Sequence, residues 1–218
     1  MRTDPFRDAV LFVLGHDDNY TPLGLFRWLL VLAFALLLAA NLVLLGLNWT
    51  ADPGQRRGRH LYLWLARTLV GAMWFQGSLW KLPLPVSGGF KYWMEQIAHN
   101  AAFPAMQAFY ADTLLPHLAL LDPVAWLAEI SFAIAFTLGL ATRLAGILAV
   151  GFAANIWLGV YHNSAEWPWQ YMFLILLLGF LAQEAAGRSL GLDALLRRRP
   201  VALLTGSGLL ARAYRLAS

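Results

Sequence analysis

The stretch from Leu25 to Leu47, LFRWLLVLAFALLLAANLVLLGL, carries a single charge, Arg27, near its start. At about 1.5 Å of rise per residue, a helix of this length crosses a hydrocarbon core about 30 Å thick. Such a segment has to be covered by lipid or by other helices. The rest of the chain is of the same kind: 60% of its 218 residues are hydrophobic and 13% charged, against about 25% charged in a soluble domain. The expected fold class is therefore all-α, a polytopic membrane helical bundle.

Four further apolar segments follow. Leu61 to Trp80 is interrupted by Arg67 and Gln76 and closed by Lys81, Pro83 and Pro85, while Val124 to Leu140 starts from Asp122-Pro123, read as an N-cap with a proline in the first turn. Leu144 to Tyr161 and Trp169 to Ala186 complete the set. The sequence thus predicts an N-terminal tail over 1–23, a bundle over 24–199 with about five transmembrane helices (about 25–47, 61–80, 124–140, 144–161 and 169–186), and a basic tail over 200–218. The long loop 81–123 is too often broken by charges and prolines to span, but its aromatic residues recur at helical spacing, which predicts short interfacial helices over the bundle mouth. The tail lacks the small-residue cleavage site of a signal peptide.

Basic residues set the expected orientation. Arg56, Arg57 and Arg59, then Arg143, then Arg188, Arg197, Arg198 and Arg199 fall on alternate loops, as the excess of cytoplasmic lysine and arginine requires. Five spans then place the N-terminus, the long loop and the turn HNSAEWPW outside and the C-terminus in the cytoplasm of a bacterial cell, the chain lying in its inner membrane. The net charge of +4 is accounted for by these loops, so the lipid bilayer, not nucleic acid, is the expected partner.

Polar residues inside apolar segments are costly and mark function or pairing. Lys81 and Glu129 are expected to share the outer half of the bundle and Arg67 and Arg143 the inner half, with Asn155 also outer. Trp74 and Phe75, mid-span, are an aromatic pair within reach of Gln76 that would flank a flat ring. The candidate catalytic residues are Glu129 and Lys81; the candidate cofactor-binding residues are Arg67, Trp74, Gln76, Asn155 and Arg143. The alternative for each is structural: a snorkelling lysine, a paired glutamate, an interhelical asparagine. The remaining tryptophans lie near span ends, as aromatic belts do.

Cysteine is absent, which excludes disulfides, thiolate nucleophiles, Cys-ligated iron–sulfur clusters and Cys zinc sites. His16, His60, His99, His117 and His162 lie in tails, loops or span ends, unlike the facing histidines of a bis-His haem, so neither haem nor metal is expected. No HExxH, GxSxG or Walker loop occurs.

Arg67-Thr-Leu-Val-Gly71, Gly77, Lys81-Leu82, Glu129, Leu138-Gly-Leu-Ala-Thr-Arg143 and Gly187-Arg-Ser-Leu-Gly-Leu-Asp193, in this order, resemble the DoxX/DoxD family, DoxD being a membrane subunit of thiosulfate:quinone oxidoreductase. The resemblance covers about residues 61–195. It implies a small helical bundle tied to the quinone pool, with Arg67, Lys81, Glu129 and Arg143 at the family's recurring polar positions. The expected function is a membrane subunit of a quinone-linked oxidoreductase, holding a quinone in the outer half and working with other redox subunits. A non-catalytic scaffold that docks a redox partner through the outer loop is the alternative. A small-molecule transporter is a third, weakened by the lack of paired halves.

Overall fold

A computed structural model describes residues 4–198 and 208–218; Arg199 and the first part of the expected C-terminal tail, 200–207, lie outside the described residues. The described residues are mostly helical, without strands. Five long helices run antiparallel to their sequence neighbours: α2 (Arg27–Ala51), α3 (Gly58–Leu79), α6 (Leu118–Leu138), α7 (Thr142–Gly159) and α8 (Pro168–Gln183). They are joined and flanked by shorter ones: α1 (Pro5–Val13), α4 (Gly88–Asn100), α5 (Pro104–Ala108), α9 (Leu192–Arg198) and α10 (Leu209–Ala217). α3 packs closely on α6, and α7 on α8.

The helical stretches that end in α2 and α6, and α7 itself, are long and apolar enough to cross a membrane. α3 matches them in length with 22 residues but carries Arg67 and Gln76 inside; α8 is uniformly apolar but has 16 residues. Leu32, Leu36, Val43, Leu69, Ile147, Leu148, Phe173 and Leu176 are exposed, an apolar outer belt of an extent that soluble monomers do not present and lipid covers. The chain is a multi-pass membrane protein.

Glycine sets how closely the helix pairs approach. A Cβ on Gly71 of α3 would lie 2.8 Å from the backbone nitrogen of Thr137 on α6, and one on Gly146 of α7 would lie 2.7 Å from Cβ of Ala182 on α8. Small residues of this kind let backbones meet where no hydrophobic force drives helices together in lipid.

The segment preceding the first span is more than a tail. Asp4 caps α1 by accepting from the backbone N–H of Phe6 at 2.9 Å, and Phe12 and Tyr20 are buried against Phe34 and Phe75. Nor does α6 begin at Asp122-Pro123. A π-helical turn (Phe109–Leu114) and a 3-10 turn (Leu115–His117) lead into it, and Pro123 sits inside the helix. There its missing N–H leaves a single carbonyl of the preceding turn unpaired.

The two ends of the bundle differ. At one, loop 52–57, the α6–α7 turn, α9 and α10 meet: Arg59 pairs with Glu184, Arg198 bonds Asn48, and Tyr214 of α10 bonds Asp193 of α9. At the other, the backbone N–H of Ala102 donates to Leu158 (2.8 Å) and that of His162 to Asn100 (2.9 Å), tying the long loop to the α7–α8 turn. Gln76 donates to Asp17 at this same end (3.2 Å). All seven described arginines of the orientation argument therefore belong to one end.

Candidate functional site

Inside the basic end lies a polar knot around Arg67, which is fully buried. The last carbonyls of an α-helix have no partner within it. Arg67 supplies one for α6, donating from Nη1 to the carbonyls of Phe136 (2.7 Å) and Thr137 (2.5 Å) and from Nη2 to Leu190 (3.3 Å) and Asn41 (3.4 Å). Glycines make the room. A Cβ on Gly139, whose φ of 70° ends α6 in the left-handed conformation, would lie 2.9 Å from Cζ of Arg67, and one on Gly191 would lie 3.1 Å from Nη2. Asp193 completes the knot by accepting from the N–H of Ala141 (2.9 Å) and the hydroxyl of Tyr214 (2.7 Å). Burial pushes the Asp193 carboxyl above its ordinary value, while the bonds from Tyr214, Ala141 and Thr142 pull it partly back.

At the opposite end α4, α6, α7 and the π-helical turn enclose a cavity of about 580 Å³, within the range of small-molecule sites. Its walls include Trp80, Phe90, Trp93, Met94 and Ile97, so the aromatic segment does roof the bundle mouth. Two polar groups break this surface. Lys81 donates to Glu129 Oε2 at 2.6 Å and to the carbonyl of Gly77 at 3.3 Å, with its ammonium 3.7 Å from the centre of the Trp80 ring. The pair is nearly sealed, at 2% and 4% exposure. Asn155 donates to the hydroxyl of Tyr110 at 2.7 Å. At the rim, Glu166 accepts from Gln170 (2.6 Å) and Tyr171 (2.8 Å).

Of the seven candidates drawn from the sequence, Lys81, Glu129 and Asn155 line this cavity. Trp74 stands behind its wall, packed on Phe132 and Phe152 with ring centres 5.2 and 5.6 Å away. Gln76, two residues on, points across the helix to Asp17 and not to Trp74's side. Arg67 is spent on the α6 terminus, and Arg143 borders a separate groove of α7 and α8 closed by Leu216 of α10. The arginines at the basic end and the lysine–glutamate pair at the opposite end are thus distinct centres, as the antiparallel geometry of α3 and α6 requires.

Tyr110, Trp93 and Asp122 went unnoticed as site residues. The first two had only the loose aromatic period of the long loop to mark them. Asp122 reads as a helix cap, yet it is fully buried and accepts from the backbone N–H of Ser87 at 2.7 Å. Its seven-residue spacing from Glu129 was the available signal.

The residues present suit a flat ring bearing carbonyl oxygens: broad aromatic walls, a buried ammonium with three donors of which two are used, the Tyr110 hydroxyl and the buried Glu129 carboxyl, with Glu166 and Tyr171 at the rim. Comparison with known families gives one match over most of the chain: the family described as TQO small subunit DoxD, over residues 62–207. No curated protein and no solved structure matches.

Proposed function

This chain belongs to the DoxD family, and from that premise we propose that it is the membrane subunit of a quinone-linked oxidoreductase and holds a quinone headgroup in the cavity beside Lys81 and Glu129. The observation that carries this reading is a buried ammonium–carboxyl pair facing a largely apolar, aromatic-walled space. A bound quinone supplies carbonyl oxygens that take up two electrons and two protons. The chain contributes contacts to that ring and a group that handles protons. Lys81 offers the N–H not used by Glu129 and Gly77, and Glu129 carries a proton to or from the cavity. Tyr110, held by Asn155, gives a second contact through its hydroxyl, and Trp80, Phe90 and Trp93 exclude water. Electrons come from other subunits of the complex.

The basic end faces the cytoplasm in this proposal, so the cavity opens in the outer half of the bacterial inner membrane. A scaffold reading has one observation in its favour: Lys81 and Glu129 satisfy one another, and a mutually paired buried couple is also what helix glue looks like. Glu129→Gln in the purified complex separates the two. The quinone reading predicts that quinone reduction falls on the order of 10²-fold, the usual worth of a positioned acid–base group, with subunits still associated. Unchanged turnover, or lost subunits with proportionate activity, refutes it.

A further inference from the structure

The Lys81–Glu129 pair has a third member that the chemistry above leaves unused. Asp122 precedes Glu129 by two turns on the same face of α6. It is fully buried; Oδ2 accepts from Ser87, while Oδ1 is buried with no partner among the described residues. Lys81 bonds Glu129 directly, and Asp122 lies within electrostatic reach of both. Among the described residues, one ammonium thus stands beside two buried carboxyls.

Fully ionised, the trio would carry a net negative charge away from water. Buried charge without a partner neutralises by taking up a proton, and two carboxyls sharing a site do not both ionise. We infer that Asp122, Lys81 and Glu129 form one proton-holding cluster in which, at neutral pH, a single proton is shared between the two carboxyls. Its layout gives the proton a direction. Asp122 is tied to Ser87, which adjoins the exposed stretch 83–86, while Lys81 and Glu129 line the cavity. Release into the cavity leaves one ammonium and two carboxylates, a proton from outer water restores the starting state, and no electron moves.

That this proton serves a bound quinone rests on the function proposed above; that the cluster holds it does not. The test therefore omits quinone. Infrared difference spectra of the purified full chain, in ordinary and heavy water at neutral pH, count protonated carboxyls by their deuterium-sensitive carbonyl band. Asp122→Asn and Glu129→Gln should each lose one equivalent relative to the parent protein, because either leaves a lysine with one carboxylate. Lys81→Met should gain one. Asp193, common to all samples, cancels. No loss in either carboxyl variant overturns the proposal, and loss in one alone assigns the proton to a single residue and overturns the shared cluster. Should either fail to fold, the alanine variant at the same position takes its place, with the same expected loss and the same refuting result.

Discussion

Arg67 shows how a charge in a membrane helix can be wholly structural. Its guanidinium ends α6 by pairing two carbonyls that would otherwise stand open in a dry interior, and Gly139 and Gly191 leave space for it. Arg67→Met should destabilise the detergent-solubilised protein on the order of 1 to 3 kcal/mol for each carbonyl left unpaired, read as a fall in melting temperature, while the cavity's ligand affinity per folded molecule stays unchanged. Asp193 gives a pH dependence of stated sign. Its carboxyl is raised by burial, so the folded state holds the proton more tightly than the unfolded one. Its contribution to stability is then greatest in acid, declines as pH rises from the ordinary carboxylate value to the raised one, and is flat above. Asp193→Asn should remove that slope from a plot of unfolding free energy against pH. From sequence, the cost of burying charge marked Arg67, Lys81 and Glu129 as residues needing a partner or a purpose; that the partners of Arg67 are backbone carbonyls was not legible, because a carbonyl leaves no trace in the side-chain pattern.

At the scale of the helices, close packing rests on glycine. Gly71→Leu should drive α3 from α6 and cost about 1 to 3 kcal/mol by overpacking. Gly151→Leu, on α7 where an added Cβ meets nothing within 4 Å, should change stability by about 0.5 kcal/mol or less; chemical denaturation of both in one detergent makes the comparison. The five long helices were legible because apolar length is a local property. The start of α6 was not: Asp122-Pro123 has the chemistry of an N-cap, but the preceding turns were already helical and the aspartate was claimed by Ser87. The segment before Arg27 was misjudged for a related reason. It is too polar to span and so reads as a tail, whereas Phe12 and Tyr20 pack into the core.

For the whole molecule, the antiparallel order of five helices separates two centres that the sequence interleaves. Arginines and glycines gather at one end as a structural knot, and the lysine, the two carboxyls and the aromatic walls gather at the other as a cavity. This polarity gives a topology prediction: a cysteine introduced at Arg57 should react with membrane-impermeant thiol reagents only after the cells are opened, and one at Ala165 should react in intact spheroplasts. The reverse pattern inverts the assigned orientation. The central claim is that the outer cavity holds a quinone. A photoactivatable quinone analogue, added to the purified complex and located by mass spectrometry, tests it most directly. The label is expected on the α4 wall around Trp93 and Met94 and on the turn bearing Tyr110, and unlabelled quinone should compete it away. Labelling confined to the lipid-facing side of α2, or labelling that excess quinone does not reduce, would contradict the assignment.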